Sequence, residues 1–132
     1  MKYADPENAR RYSRARDYVK VNQGAVKAMH RQVGDLVLDA NGIALRGLLV
    51  RHLVLPGDLA GTAEIVRFLR DEISPDTYIN VMAQYRPCYR AREHPPLDRS
   101  ITNQEYAAAA RLAQEAGLRL DERKSRLMWL WR

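Results

Sequence analysis

Cysteine is nearly absent from this sequence of 132 residues, which contains one, Cys88. A single cysteine excludes an internal disulfide. The three histidines, His30, His52 and His94, have no second cysteine or histidine at zinc-ligand spacing, so no metal site is predicted. Packing or solvent exposure is favoured over ligation for His52. No histidine and acid accompany Cys88 at a catalytic spacing, so an incidental cysteine is favoured and no catalytic residue is assigned.

Long hydrophobic runs are also missing. The run from Gly47 to Val50 is stopped by Arg51, and no run approaches the roughly 18 apolar residues that a membrane helix requires. The first residues carry no apolar signal region, and no Walker or GxGxxG glycine pattern is present. These absences predict a cytoplasmic protein with no membrane partner.

Basic charge is present in excess but unevenly placed. The formal net charge is +6, with the excess of Lys and Arg in residues 1–34 and 119–132 and a slight acidic excess between them. Such ends can bind polyphosphates. Solvated helix faces and a basic tail are the favoured alternative.

The local patterns predict alternating helices and strands. Asp5-Pro6 starts a short helix that ends near Ser13, and Thr102 with Glu105 forms a capping box. The other predicted elements are a helix from Ala25 to Gly34, a hairpin over 36–45 around Asn41-Gly42, a strand over 48–55 buried on both faces, a helix around 65–73, a strand over 77–82, a polar loop over 84–100 and a final strand over 118–120.

Strands that alternate with helices of this length indicate an α/β fold with a parallel sheet. Residues 1–132 read as a single domain. Because two or three parallel strands make a small sheet, the chain looks like a slice of a larger α/β structure.

Functional residues of α/β folds lie at the carboxyl ends of the strands. Lys2-Tyr3, the strand with Arg51 that exits at Pro56-Gly57, and Tyr85-Arg86 occupy such places. Their cations suit an anionic or carboxylate-bearing ligand. For Arg51, an edge-strand arginine that reaches solvent is an equally good interpretation from the sequence pattern.

Three segments carry a resemblance to a known family: Met1 to Ala9, Arg51-His52-Leu53-Val54-Leu55-Pro56-Gly57, and Gln84-Tyr85-Arg86-Pro87. In this order and spacing they resemble radical S-adenosylmethionine proteins similar to pyruvate formate-lyase activating enzyme. The resemblance implies that the chain supplies the later strands and helices of a partial, TIM-like (β/α)6 barrel, with a small β-hairpin.

The resemblance also implies roles for five residues. Lys2 matches the lysine of an Asp-x-Lys motif that contacts the methionyl part of S-adenosylmethionine, and Arg51 matches an arginine that faces this cofactor. Leu53 matches a residue whose backbone lies against the adenine. Tyr85 matches the tyrosine before an adenine-side histidine, a position that holds Arg86 here.

In this family three thiolates of a CxxxCxxC loop bind a 4Fe–4S cluster, and the reduced cluster cleaves S-adenosylmethionine to a 5′-deoxyadenosyl radical. With Cys88 alone, this chain is expected to bind no cluster and to be inactive by itself. Met1 matches an internal methionine of the family, so the chain is expected to be a C-terminal segment without the cluster-binding region.

The implied partner is a glycyl-radical enzyme or another protein substrate. An unpaired sheet edge also predicts self-association. The alternative function is a non-catalytic basic module that binds nucleic acid or an acidic protein, with nucleic acid the less favoured partner. The role of the tail with Trp129 and Trp131 stays open between packing under the domain and a membrane or partner contact.

Overall fold

The structure is a computed structural model that describes residues 1–121. Its α-helices are α1 (Pro6–Ser13), α2 (Tyr18–Val33), α3 (Thr62–Phe68), which a π-helical turn extends over Leu69–Ile73, and α4 (Asn103–Glu115). Its strands are β1 (Val37–Leu38), β2 (Ala44–Arg46), β3 (Leu49–Leu53), β4 (Tyr78–Met82) and β5 (Arg119–Leu120). Short 3-10 turns cover Pro56–Asp58 and Tyr89–Glu93. The tail with Trp129 and Trp131 lies outside the described residues.

The strands form two sheets, and the fold is mixed α/β as the sequence predicts. β1 and β2 pair antiparallel, and β3, β4 and β5 form a parallel sheet in that spatial order. The predicted hairpin is confirmed. Its turn is held by Asp39, whose Oδ1 accepts from the backbone N–H groups of Asn41 and Ile43 at 2.9 and 2.7 Å.

The main core lies between one face of the parallel sheet and helices α2, α3 and α4. From β3 and β4 come Val50, Ile79 and Val81, and the helices contribute Val26, Ile65, Val66, Phe68, Ala109 and Ala113. A second cluster packs Tyr3 and Ala9 of the N-terminal segment against Leu55 and Ala60, which follow β3. The helical segments therefore cover one sheet face and its carboxyl-terminal edge.

Two sequence-based predictions are wrong. The strand over 48–55 is predicted to be buried on both faces, but Leu49 and Arg51 are exposed while Val50 and His52 are buried. The helices pack only on the face of β3 that carries Val50 and His52. The other face stays exposed although Leu49 is apolar, so an apolar run does not by itself show that both faces are covered. The helix predicted from Ala25 begins at Tyr18. The prediction starts too late because the first two turns carry an exposed Val21 and Gly24, which hide the helical spacing of apolar residues.

The caps of α1 and α4 are confirmed. The Asp5 side chain accepts from the backbone N–H of Glu7 at 2.8 Å, and Pro6 opens the helix. Thr102 Oγ1 accepts from the N–H of Glu105 at 3.1 Å, and a Glu105 carboxylate oxygen accepts from the N–H of Thr102 at 2.7 Å. These reciprocal bonds satisfy N–H groups that a helix start leaves without partners.

Glu105 also ties α4 to the loop after β3. Its Oε1 accepts from the backbone N–H of Gly57 at 2.7 Å, and Arg99 donates to both carboxylate oxygens at 2.8 and 2.9 Å. The hydrogen bonds from Arg99, followed by those from the Gly57 and Thr102 backbone, hold the pKa of the Glu105 carboxyl well below its usual range. One carboxylate thus joins the helix cap, the preceding loop and the β3 exit.

Replacement of this carboxylate is expected to destabilise the fold. Glu105→Ala should lower the free energy of unfolding by about 2 kcal/mol, since it removes a cap and an inter-segment hydrogen bond. The Arg99 pair adds little because the Arg99 side chain is 44% exposed and screened. Urea unfolding measures the change. Glu115→Ala, in the last turn of the same helix and exposed, is the matched control and should be neutral or slightly stabilising; equal losses in both variants would contradict the assignment.

Candidate functional site: a basic, tyrosine-lined cleft at the carboxyl edge of the sheet

The N-terminal residues extend the parallel sheet at the outer edge of β3. The backbone N–H of Leu53 donates to the Met1 carbonyl at 3.1 Å, and the Met1 amino group donates to the carbonyl of Arg51. This is the hydrogen-bond pattern of a parallel neighbour, although three residues are too few to predict a strand. Lys2 is thereby placed next to the carboxyl end of β3.

The sheet face turned away from the helices carries several polar residues. Arg51 of β3 is in register with Asn80 of β4, and Asn80 Nδ2 donates to Asp121 Oδ2 at 2.7 Å just after β5. Tyr78 of the same face hydrogen-bonds Asp121 at 3.4 Å and lies under the Arg119 guanidinium, 5.4 Å from its carbon to the ring centroid. This row of cation, amide and carboxylate is suited to a polar ligand.

His52 points to the face opposite Arg51 and is fully buried. Its Nδ1 lies 3.3 Å from the Met1 carbonyl oxygen, and its Nε2 lies 3.0 Å from Thr62 Oγ1. A carbonyl oxygen only accepts, so Nδ1 carries the proton and Nε2 accepts from the Thr62 hydroxyl. Burial, opposed in part by the bond to Met1, lowers the pKa of His52 to about 4. His52 is therefore a neutral packing residue.

A cleft of about 620 Å³ opens beside the carboxyl end of the sheet. It lies between the N-terminal segment, the end of α1 and the loop that follows β4, and is lined by Lys2, Tyr3, Arg11, Tyr12, Ser13, Arg14, Tyr85, Cys88, Tyr89, Arg90, Ala91, His94 and Leu97. Its volume falls in the range of small-molecule sites. Lysine, arginine, histidine and tyrosine dominate its wall, and none of the described residues that line it is an aspartate or glutamate.

Two of the five predicted site residues meet in this cleft. Lys2 Nζ lies 3.4 Å from Ser13 Oγ and 4.9 Å from the centroid of the Tyr3 ring. The Tyr85 hydroxyl donates to the carbonyl of Leu97 at 2.7 Å, and desolvation, followed by the neighbouring Cys88, raises the pKa of Tyr85. The structure therefore gathers Lys2 and Tyr85 at one edge of the sheet.

The other three predicted residues lie outside the cleft wall. Leu53 packs in the cluster around Tyr3 and Leu55, to which Tyr85 also belongs. Arg51 is exposed on the polar face of β3, and Arg86 is exposed in the loop after β4. The equal alternative for Arg51, an arginine that reaches solvent, matches its position in the described part of the chain.

Sequence reasoning misses the contribution of α1. Arg11 and Arg14 lie one turn apart and reach the cleft together with Arg90 and His94 from the loop after β4. The signal that could have found them is the basic excess in residues 1–34, for which solvated helix faces are the favoured interpretation. The distant position of residues 88–94 in the sequence hides their convergence with α1.

Two kinds of feature are absent from residues 1–121. No helix there is both long and apolar enough to cross a bilayer. No group of three or more His, Cys, Asp or Glu side chains is placed to hold a metal ion. Cys88 is free and exposed, and it offers a single thiol at the cleft wall.

Comparison with known proteins gives one similarity and two negative results. No family model matches the chain, and no solved structure matches it. The chain is 30% identical over 121 residues to a protein of Methanocaldococcus jannaschii called uncharacterized protein MJ0674, a match that covers 91% of this chain and 31% of that protein. The chain therefore spans about a third of the length of this relative.

Proposed function

We propose that this chain is the later part of the barrel of a radical S-adenosylmethionine protein resembling pyruvate formate-lyase activating enzyme. In this proposal it supplies cofactor and substrate contacts, and a CxxxCxxC region elsewhere in the protein binds the 4Fe–4S cluster. The observation that carries the proposal is the placement of Lys2 and Tyr85 together at the carboxyl edge of a parallel sheet, where barrels of this type place their ligands.

The order of the strands supports a barrel wall. β3, β4 and β5 are neighbours in the same order as in the sequence, and α3 and α4, which connect them, belong to one core on one face. A doubly wound sheet would reverse its strand order and place helices on both faces. Successive strands with all helices outside are what a (β/α)6 barrel requires.

The uncovered sheet face supports the same proposal. In a barrel this face would point inward, and it carries Arg51, Asn80 and Asp121. Arg51 is exposed on this face in the described residues; inside a closed barrel its charge would be costly unless it were paired or faced a polar cavity. Within the described residues Arg51 forms no ion pair with a carboxylate, so its guanidinium is available to an anionic group of a ligand.

The residues of this chain fit S-adenosylmethionine but not the cluster. Lys2 and Arg51 would hold the carboxylate of the methionyl group, and the backbone at Leu53 and the ring of Tyr85 would border the adenine. Cys88 alone offers no three-thiolate set, and no metal-holding group is present in residues 1–121. When bound, the cluster and S-adenosylmethionine supply the one-electron chemistry. The residues of this chain bind and orient S-adenosylmethionine.

The test compares the chain alone with a longer form of the protein that includes the cluster region. After anaerobic reconstitution with iron and sulfide, the chain alone should show no iron–sulfur absorbance, while the longer form should bind a cluster and cleave S-adenosylmethionine reductively. A three-thiolate cluster on the chain alone, or a longer form without a cysteine triplet, would overturn the proposal.

Site variants sharpen this test in the longer form. Arg51→Gln should weaken binding of S-adenosylmethionine about tenfold, the usual cost of losing one charged hydrogen-bond donor. Arg67→Gln, an exposed arginine on α3, removes the same charge from the helical side and should leave binding unchanged. Equal effects of the two substitutions would show that Arg51 acts only through net charge.

A further inference from the structure

The wall of the cleft carries more positive charge than the ion pairs of the described residues neutralise. Arg90 donates to Glu93 at 2.6 and 2.9 Å, so its charge is already compensated. Arg11 and Arg14 form no ion pair within residues 1–121; Arg11 instead lies 5.3 Å from the centroid of the Tyr12 ring. Two guanidinium groups therefore face this space without an ion pair to a carboxylate in residues 1–121, and Arg11 has only the longer-range attraction of Glu7, one turn earlier on α1.

Stabilisation of a helix end does not account for this arrangement. Cations near a helix C-terminus interact favourably with its dipole, and Arg10 and Arg11 lie in the last turn of α1. Arg10 is bound to Glu7 of the same helix, which is the ordinary surface case. The cleft also collects His94 and Arg90 from a loop about 80 residues further along the chain, and a helix dipole gives no reason for that convergence.

The same cleft presents an unusually exposed aromatic ring. Tyr89 is 94% exposed, the largest value among the exposed large hydrophobic residues, and has a positive φ of 52°. Arg14, the C-cap residue of α1, has a positive φ of 53°, so two of the three non-glycine residues with a positive φ in residues 1–121 line the cleft. Such backbone conformations cost energy and cluster at ligand sites. A free tyrosine face beside arginines resembles the stacking platforms that bind bases.

We propose that this cleft binds a nucleoside phosphate. Arg11 and Arg14 hold the phosphate oxygens through charged hydrogen bonds, and Tyr89 stacks on the base. The cleft shares Lys2 and Tyr85 with the residues assigned to S-adenosylmethionine, whereas Arg11, Arg14 and Tyr89 have no role in that assignment, and the site requires no cluster. S-adenosylmethionine has no phosphate, so the inference goes beyond the proposed function and does not depend on it.

The experiment is calorimetric titration of the intact chain with ADP, adenosine and pyrophosphate at low salt. ADP should bind, and adenosine and pyrophosphate should each bind at least about tenfold more weakly because each engages half of the site. ADP affinity should fall as salt is raised. No heat with millimolar ADP, or pyrophosphate binding as tightly as ADP, would overturn the proposal.

Two variants separate the two halves of the site. Arg11→Gln/Arg14→Asn should weaken ADP and pyrophosphate at least about tenfold; asparagine tolerates the left-handed backbone at residue 14. Tyr89→Ala should weaken ADP about tenfold and leave pyrophosphate unchanged. These side chains are exposed, so unchanged circular dichroism is expected to confirm folding.

The matched control is Arg67→Gln/Arg111→Gln, which removes the same charge from exposed positions on α3 and α4. In a repeat of the titration at 0.15 M salt it should change ADP affinity by less than about twofold, since at that ionic strength exposed charges more than about 8 Å apart are largely screened. A loss as large as in Arg11→Gln/Arg14→Asn would mean non-specific attraction of polyanions, and the cleft would not be a site. All these variants leave Lys2, Arg51 and Tyr85 intact, so their failure leaves the radical S-adenosylmethionine proposal standing.

Discussion

Acidification is expected to remove about 2 kcal/mol of unfolding free energy between pH 7 and pH 5, and about 3 kcal/mol by pH 4, through His52 alone. The unfolded chain protonates this imidazole near its ordinary pKa of 6.5, whereas burial lowers the pKa in the folded chain to about 4. The stabilisation is therefore complete above pH 6.5 and is lost as the pH falls toward the folded pKa. Urea unfolding across this range measures the slope.

The control for this titration is His52→Gln. Glutamine keeps a donor and an acceptor for the Met1 carbonyl and Thr62 but does not ionise, so the slope between pH 7 and pH 5 should nearly vanish even if the variant is less stable throughout. Carboxylates with lowered pKa, such as Glu105, lose their contribution only below about pH 4.5. An unchanged slope in His52→Gln would show that another group controls the acid sensitivity.

The substitution Gly47→Ala is expected to destabilise the fold by about 3 kcal/mol or more. A Cβ at residue 47 would lie 2.1 Å from the Asp35 carbonyl oxygen and 2.6 Å from the Leu36 Cα, and Gly47 has a φ of +99°. Both obstacles are backbone atoms, which cannot move aside as a side chain would. The link from β2 into β3 should therefore shift or open, and thermal unfolding measures the loss.

Gly24→Ala is the opposite case and serves as the control. Gly24 lies in α2 and is exposed, and no atom outside its own helical turn lies within 4 Å of the place that an added methyl group would occupy. Alanine there should raise the unfolding free energy by about 0.5–1 kcal/mol, because it lowers the entropy of the unfolded chain and favours the helix. Similar destabilisation in both variants would mean that Gly47 is not special.

Elements with local chemical signals could be predicted from the sequence. The Asp5-Pro6 start of α1, the Asn41-Gly42 turn and the Thr102–Glu105 capping box each lie within four residues, and each is found in the structure. The parallel arrangement of β3 and β4 follows from the alternation of strands and helices. These features depend on neighbours in the sequence, which the sequence displays directly.

Features that depend on distant partners could not be predicted. Leu49 is exposed because the helices cover the other face of the sheet. A run of apolar residues in the sequence does not show which face of a strand is covered. Residues 11–14 and residues 85–97 line the same cleft, but no pattern in either segment predicts that it lies near the other. The family resemblance points to Lys2 and Tyr85 as site residues, whereas it gives no sign of Arg11, Arg14 or Tyr89.

The pairing of Met1 with β3 has a consequence for assembly. Met1 bonds the backbone at Arg51 and Leu53, so polypeptide attached ahead of Met1 would be directed alongside Val50 and Leu49. The outer border of β3 is therefore a template whose carboxyl end is already paired with Met1. A strand added there would run parallel to β3 and continue the register set by Met1. A segment attached to this chain would pair more readily than a separate copy, because the attached segment has the higher effective concentration.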